Sequence, residues 1–308
     1  MEKDILGLGN ALTDIIISIE DKDLEELNLK KGCVCSNSIE KLEKILKEKE
    51  KEIKLIPGGS PSNTVVNASR LGTLCGLIGA VGKDGLGRMY HQDLEENDVC
   101  DHINDIRGKS GRCYILVTPD GERTMITDIG VAGNFRIPFD IVKEYRIFHT
   151  SAYELRSNKA ATLEAMAHAR KNKLTVSFDI ADPLIIEKTK KEIQEALNYT
   201  DIVFGNEQEA KALTNLSPEQ AVGELANLCG IAVIKKGAAG SLIKSKNDKM
   251  IEIQGYPAKN FINTNGAGDA YAAGFLNYFL NKNDLTACGM YGSLIATWVC
   301  EREGARLL

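Results

Sequence analysis

The amino-acid sequence predicts an α/β fold: a doubly wound, mostly parallel sheet flanked by helices, with a small inserted β-sheet. Several short runs are apolar throughout, a pattern typical of strands covered on both faces. These runs lie at 5–9, 76–81, 147–151, 174–178, 202–204 and 231–234. Helical patterns alternate with them, as a doubly wound sheet requires. They lie at 62–71, 86–96, 159–171, 188–197, 207–213 and 218–228, with further helices at 270–280 and 285–301.

The inserted sheet is predicted from segments that break this alternation. Residues 13–20 and 32–37 are strand-like but polar at alternate positions, and 111–119 and 122–129 read as a hairpin around Pro119-Asp120-Gly121. We expect these pieces to pair as an antiparallel lid, formed by about residues 13–37 and 100–130 of a single domain spanning 1–308. An edge extension of the main sheet is the alternative.

Composition narrows the class of protein. The chain has 308 residues, 43% hydrophobic and 26% charged, with a formal net charge of −5, which argues against nucleic acid as a partner. Charges alternate at 41–54, as on an exposed helix face. No apolar run reaches the roughly 18 residues that cross a membrane. The eight cysteines are scattered, so we expect them to be reduced and mostly buried in a cytoplasmic protein.

The segment 263–269, Asn-Thr-Asn-Gly-Ala-Gly-Asp, precedes a helical apolar run. Glycines allow a phosphate to approach the backbone, and the first amides of a helix favour an anion. Asp269 could accept a proton from a hydroxyl held over that phosphate, so the segment indicates phosphoryl transfer. The alternative is a glycine-rich turn with an acid in the first helical turn.

A second glycine cluster, Pro57-Gly58-Gly59-Ser60-Pro61-Ser62-Asn63, also precedes a helix. Close backbone approach and the Asn63 amide suit a bound molecule that carries hydroxyls. Asp14, just after the first strand, could accept two hydrogen bonds from a sugar. A plain capped turn is the competing interpretation.

Two later turns follow apolar strands, where ligands bind in such sheets. Asn206 and Glu209 are three residues apart, and their oxygens suit Mg2+, although an ordinary acidic helix start is the alternative. The turn Lys235-Lys236-Gly237-Ala238-Ala239-Gly240 could pass under a nucleotide or form part of a hairpin at 233–243. His149, at a strand end, is interpreted as structural.

Several motifs are absent from the sequence. It has no P-loop and no nucleophile-elbow Gly-x-Ser-x-Gly, and the glycine pattern at 7–12 lacks the third glycine of a dinucleotide fingerprint. These absences disfavour P-loop NTPases, α/β hydrolases and nicotinamide-dependent oxidoreductases.

Taken in order, these motifs resemble the ribokinase-like (PfkB) family of carbohydrate and nucleoside kinases. Gly58 to Gly72, continuing into 79–87, is similar to the N-terminal family signature, 263–275 to the C-terminal one, and Asn206 to Glu209 to its Asn-x-x-Glu motif. The resemblance covers nearly the whole chain. It implies an α/β domain with a β-lid, ATP as the phosphate donor, and Mg2+.

The resemblance also implies roles for individual residues. Asp269 would be the catalytic base, and the anion hole would comprise Gly266, Ala267 and Gly268. The phosphate acceptor would be bound by Asp14, Gly58, Gly59, Asn63 and Asn134. The nucleotide would be bound by Asn206, Lys236, Gly237, Gly240 and Thr264. Mg2+ would be organised by Asn206 and Glu209.

One position departs from the family pattern: Asn263 stands where an aspartate is usual, which puts the dependence on a monovalent cation such as K+ in doubt. The segments 9–15, 110–113, 120–125 and 264–270 are similar to the adenosine kinase-like branch. We therefore expect phosphorylation of the 5′-hydroxyl of adenosine, with Tyr114 and Ile115 as an apolar wall under the base. Free ribose or fructose is the alternative acceptor, and an inactive nucleoside sensor is a minor one. The protein is expected to be a monomer or a homodimer.

Overall fold

The computed structural model describes residues 2–31, 34–35, 42, 53–120, 122–282 and 284–307. In chain order its strands are β1 (Lys3–Leu8), β2 (Leu12–Ser18), β3 (Val34–Cys35), β4 (Ile53–Gly58), β5 (Cys75–Gly82), β6 (Cys100–Ile106), β7 (Gly111–Val117), β8 (Arg123–Asp128), β9 (Tyr145–Ser151), β10 (Thr175–Asp179), β11 (Ile202–Asn206), β12 (Ile231–Lys235), β13 (Ser241–Ser245) and β14 (Ile251–Ile253). Its helices are α1 (Asp21–Glu26), α2 (Ser60–Arg70), α3 (Gly85–Glu96), α4 (Phe139–Val142), α5 (Ala152–Lys171), α6 (Pro183–Leu197), α7 (Glu207–Thr214), α8 (Pro218–Cys229), α9 (Ala267–Phe279) and α10 (Leu285–Cys300).

The main sheet has nine strands in the order β14-β13-β12-β11-β10-β9-β1-β5-β6. All neighbouring pairs from β6 to β12 are parallel, and β13 and β14 add two antiparallel pairs at one edge. The predicted mostly parallel, doubly wound sheet is confirmed. The hairpin predicted at 233–243 is the pair of strands β12 and β13.

Helices cover both faces of this sheet because successive side chains of each buried strand point to opposite sides. Leu6 and Phe148 pack on one face against α5, α6 and α8. Ile5 and Phe204 pack on the other face, where α2, α3, α9 and α10 lie. The apolar continuity of these strands therefore reflects two separate cores.

The small sheet has the order β3-β8-β7-β2-β4. Alternate side chains of β2, including Ile15 and Ile17, join Tyr114 and Leu116 of β7 in a separate core. The predicted lid strands thus pair with one another. The sheet is mixed rather than antiparallel, however, because β2 and β7 run parallel, each leaving a strand of the parallel main sheet in the same direction.

Two boundaries of the predicted lid were wrong. Residues 100–106 form β6 at the edge of the main sheet, paired only with β5 among the described strands. Asp101 and Asp105 are exposed and the other residues of β6 are half-buried, because an edge strand keeps one side open to water. The segment therefore lacks the continuous apolar run of a buried strand. Ile53–Gly58 forms β4 of the small sheet, although residues 53–54 were included in the predicted exposed helix. Most of that helix, and most of 32–37, lie outside the described residues.

In the part of the chain that the structure describes, no helix is both long and apolar enough to cross a membrane. Six cysteines whose side chains the structure describes are free thiols: Cys75, Cys229 and Cys288 are buried, whereas Cys100, Cys113 and Cys300 are half-buried.

Candidate active site

The predicted base lies in the first turn of α9, beyond the carboxyl ends of the parallel strands. Gly266 is the residue before the helix and has φ 69°, in the left-handed region that favours glycine. Asn263 stabilises the turn before this helix, since its side-chain oxygen accepts a hydrogen bond from the Asn265 main-chain amide at 2.8 Å. Asp269 and the amides of Gly266, Ala267 and Gly268 are therefore brought together at one helix N-terminus.

Asp269 is held by the second glycine cluster. Its carboxylate accepts hydrogen bonds from the Ser60 hydroxyl at 2.7 Å and from the Asn63 side-chain amide at 3.0 Å. Burial, reinforced by the negative charge of Asp179, raises the pKa of Asp269 to about 7. The helix dipole favours an ionised carboxylate at this position, but the cost of removing a carboxylate from water outweighs the dipole here.

The predicted acceptor residues Asp14, Gly58 and Gly59 lie against one another. A Cβ at Gly58 would sit 3.1 Å from the Asp14 carboxyl group, and one at Gly59, where φ is 98°, would overlap the carbonyl oxygen of Asn10. Glycine is needed at position 58 to leave room for the Asp14 side chain, and at position 59 because of the positive φ and the nearby main chain of Asn10. It joins β4 directly to α2, which carries Ser60 and Asn63 to the base.

Two predicted acceptor contacts are placed elsewhere. Asn134 is exposed in the loop after β8, where its amide donates to the Val131 carbonyl at 2.9 Å. Within the described residues, no hydrogen bond joins it to the rest of the cluster. Tyr114 is 2% exposed in the core of the small sheet and Ile115 is 4% exposed. Both side chains are thus covered by the protein itself, and the wall under a base stays a prediction.

Asn206 and Glu209 form a reciprocal cap at the start of α7. The Glu209 amide donates to the Asn206 side chain at 2.9 Å, and the Asn206 amide donates to the Glu209 carboxylate at 2.7 Å. Burial, together with the charge of Asp179, raises the pKa of Glu209 to about 8. Hard oxygen ligands of this kind suit Mg2+, and the positive charge of Lys235 only partly offsets the effect of burial and of Asp179 on the pKa of Glu209.

Sequence reasoning missed an ion pair between Lys235 and Asp179. The Lys235 Nζ lies 2.9 Å from a carboxylate oxygen of Asp179, and the side chains are only 14% and 9% exposed. Burial lowers the pKa of Lys235, but the charges of Asp179 and Glu209 outweigh it, so the pKa lies above its usual value. A Cβ at Gly268 would lie 3.0 Å from the Nζ. Lys235 therefore places a positive charge beside the predicted anion hole.

Both members of this pair end buried strands, at positions where polar residues of parallel sheets commonly meet ligands. Their position at strand ends was the feature of the sequence that could have identified these two residues. The sequence pointed instead to Lys236, whose Nζ lies 3.0 Å from Glu252 of β14. His149, interpreted as structural, is fully buried with its Nδ1 3.0 Å from the Ser177 hydroxyl.

The predicted nucleotide turn consists of a single 3₁₀ turn, Gly237–Ala239, between β12 and β13. Gly237 has φ 57° and Gly240 has φ 98°. A Cβ at Gly240 would overlap the Ile253 carbonyl oxygen, whereas one at Gly237 would meet no atom within 4 Å. Thr264, predicted to contact the nucleotide, is exposed, and its carbonyl accepts a hydrogen bond from the Ala267 amide at 3.2 Å.

This contrast gives a stability prediction. Gly240→Ala is expected to lower the free energy of unfolding by about 3 kcal/mol or more, because backbone strain adds to a clash with a strand. Gly237→Ala, which meets only the left-handed penalty, should cost about 1 kcal/mol. Urea unfolding without nucleotide measures both, and equal losses would contradict the structural account.

Asn263 also fastens a segment from the far end of the sequence to the site. Its side-chain amide donates to the Arg302 carbonyl at 2.8 Å, a bond that the usual aspartate could not donate. Residues 302–307, which we call the strap, then pass beside Gly266, where a Cβ would overlap Ala305. The departure from the family pattern thus has a structural role in the strap.

Comparison with known proteins gives a consistent result. The family model for pfkB family carbohydrate kinases matches residues 32–308. An uncharacterized sugar kinase of Archaeoglobus fulgidus is 30% identical over 77% of this chain and 96% of its own length. A nucleoside kinase of Methanothermobacter thermautotrophicus is 26% identical over 99% of this chain and 92% of its own length. The crystal structure of adenosine kinase from Sinorhizobium meliloti superposes with a TM-score of 0.90 and 28% identity, covering 100% of this chain and 97% of that one.

The matched region includes the predicted acceptor turn, the Asn206–Glu209 cap and the α9 N-terminus, so the comparisons and the motifs agree on one class of phosphotransferase. Such enzymes transfer a phosphoryl group to a hydroxyl. The chain belongs to the pfkB family of carbohydrate kinases.

Proposed function

We propose that this protein transfers the γ-phosphoryl group of ATP to the 5′-hydroxyl of a nucleoside, with adenosine as the preferred acceptor. The observation that carries the proposal is the position of Asp269. It lies in the first turn of α9 and is hydrogen-bonded to Ser60 and Asn63 of the predicted acceptor turn. The proposed base, the helix start that would bind an anion and the turn that would bind a hydroxyl therefore lie next to one another.

The acceptor side consists of the turn at Gly58 and Gly59 with the Asp14 carboxyl group against it. Asp14 would accept hydrogen bonds from the ribose hydroxyls and so fix the sugar. Asp269 would then accept the proton of the attacking hydroxyl, to which it is suited by a pKa near neutrality. Asn134 would also contact the acceptor, provided that the loop after β8 reaches it.

The donor side would use the α9 amides at Gly266 to Gly268 as the anion hole for the transferring group. The turn at Gly237 and Gly240, with Lys236 and Thr264, would contact the nucleotide, and Asn206 and Glu209 would hold Mg2+ through its waters. When bound, Mg2+ neutralises charge on the phosphate oxygens. We also propose that the activity requires K+. Replacing KCl by tetramethylammonium chloride in the activity assay tests this requirement.

A nucleoside is favoured over a free sugar because the kinases from Methanothermobacter and Sinorhizobium, which match over nearly the full chain, are described as nucleoside and adenosine kinases. The sugar kinase of Archaeoglobus supports the alternative of ribose or fructose. An inactive sensor is disfavoured, since binding alone does not need a carboxyl group whose pKa is raised towards neutrality.

The deciding experiment measures ADP release with Mg-ATP and a panel of adenosine, cytidine, inosine, ribose and fructose. We expect adenosine to give the highest kcat/KM. Turnover of only a free sugar would contradict the nucleoside assignment. If no acceptor led to ADP release, the protein would not be a kinase for these acceptors, and the alternative of an inactive nucleoside sensor would be favoured.

The rate should also depend on pH. Since Asp269 must be ionised to accept a proton and its pKa is about 7, kcat/KM for the acceptor should level off above about pH 7 and fall about tenfold per unit below it. Initial rates between pH 5.5 and 8.5 test this, and a flat profile would contradict it. Asn63→Ala, which removes a donor to Asp269, should move this acid limb to higher pH.

A further inference from the structure

We propose that Arg306 is a positioning residue: it fixes the orientation of the Asn63 side-chain amide so that its NH2 group donates to Asp269. The inference rests on the proposed role of Asp269 as the base. Neither the family motifs nor the sequence pattern pointed to Arg306, which lies 243 residues from Asn63 in the chain.

Arg306 spreads its guanidinium over three partners. Its Nε donates to the Asn63 Oδ1 at 3.0 Å, its Nη2 to the Ser62 hydroxyl at 2.9 Å, and its Nη1 to an Asp93 carboxylate oxygen at 2.6 Å. The Arg306 and Asp93 side chains are only 10% and 18% exposed. A guanidinium held in a fixed fork of this kind has little freedom to rotate.

The logic of the inference lies in donors and acceptors. A side-chain amide presents an oxygen on one side and an NH2 group on the other, and the two ends can exchange by a flip. Arginine has only donors, so the Asn63 oxygen must face Arg306. The NH2 group is then left facing Asp269, 3.0 Å away. Without Arg306, the flipped amide would place a carbonyl oxygen against the carboxylate.

The strap holds Arg306 in register with the site. The Leu307 amide donates to the Asn67 side-chain oxygen at 2.7 Å, and the Asn67 amide donates to the Ala305 carbonyl at 3.1 Å. Both bonds are buried and lie one turn along α2 from Asn63. The strap thus contacts α2 on one side and Gly266, before α9, on the other.

The pKa of Asp269 depends on such a donor because burial and the surrounding charges act on it in opposite directions. Asp179 of β10 raises its pKa, Lys235 of β12 lowers it, and the hydrogen bonds from Asn63 and Ser60 lower it further. Tyr153 of α5 also interacts electrostatically with Asp269. Loss or reversal of the Asn63 bond should therefore favour the protonated, inactive carboxyl group.

The test compares Arg306→Met, Asn63→Ala and the double variant in pH profiles with whichever acceptor the wild-type protein phosphorylates best. Each single variant should move the acid limb of kcat/KM up by about one pH unit, the size expected for one hydrogen bond to a charged group. The double variant should show no larger shift than Asn63→Ala alone, since no amide remains to be oriented. Arg306→Lys, which keeps the charge but loses the fork, should give an intermediate shift.

Two results would overturn the inference. One is an unchanged acid limb in folded Arg306→Met. The other is a shift that persists in the Asn63→Ala background, which would mean that the arginine acts directly by its charge. Arg302→Met removes a neighbouring strap cation and should leave the limb in place.

If no acceptor on the panel is phosphorylated, the proposed function fails, yet the inference is still decided. Carboxyl 13C NMR of Asp269 in the free protein, assigned with Asp269→Asn, reports its titration without turnover. The same upward shift in Arg306→Met supports the positioning role, and an unchanged titration contradicts it.

Discussion

Asp269→Asn is expected to lower kcat by about a thousand- to ten-thousand-fold, the range associated with loss of a positioned general base. The substitution keeps the size of the side chain and an oxygen that can accept from Ser60 or Asn63, but it cannot take a proton from the acceptor. Binding of adenosine and ATP should therefore change by only a few-fold. ADP release measures the first quantity, and isothermal titration calorimetry measures the second.

The matched control is Asp140→Asn, which removes an exposed carboxylate paired with Lys143 and should leave kcat near that of the wild type. Near-normal turnover of Asp269→Asn would overturn the assignment of the base. Loss of ligand binding to the same extent as loss of kcat would instead indicate a structural role for Asp269.

The second large effect is expected at Lys235. Lys235→Met should reduce kcat by about a hundred- to a thousand-fold, because it removes the positive charge next to the anion hole. It should also lower the free energy of unfolding by about 3 kcal/mol or more, since the buried Asp179 loses its partner. Lys236→Met provides the comparison at the next position. Because Lys236 pairs with Glu252 and is proposed to contact the nucleotide rather than the transferring group, we expect at most a few-fold change in kcat there.

A double variant separates the two effects of Lys235→Met. Lys235→Met with Asp179→Leu replaces the whole pair by apolar side chains, which commonly recovers stability. Activity should stay low while the urea midpoint returns towards that of the wild type. If the double variant regained activity as well, Lys235 would serve only to neutralise Asp179.

Features that are local in the sequence could be predicted. Strands such as β5, buried along its whole length, appear as continuous apolar runs. The helix pattern at 159–171 was also found, although α5 begins earlier, because Asn158 has non-helical backbone angles that interrupt the periodicity. The position of Gly266 and Asp269 at a helix start could be predicted because a glycine-rich turn, an acid and an apolar run follow one another directly.

Features that depend on distant contacts could not be predicted. Nothing near Lys235 shows that it pairs with Asp179, 56 residues earlier, and a lysine at the end of a strand is usually solvated. The raised pKa of Asp269 reflects burial by other elements, so a rule based on the helix dipole alone pointed the wrong way. The edge strands β4 and β6 were misplaced because edge strands carry polar residues, as lid strands and surface helices do.

The strap has a consequence for the order in which this protein can mature. The proposed base Asp269 is hydrogen-bonded to Ser60, 209 positions earlier, and the neighbouring Asn63 is in turn bound by Arg306, 243 positions later. A growing chain could complete the buried strands β1, β9, β10 and β11 well before residues 302–307 leave the ribosome. Because contacts of such large sequence separation form late, competence for phosphoryl transfer should be acquired only after residues 302–307 have been made, and chains that stop short of the strap should not consume ATP.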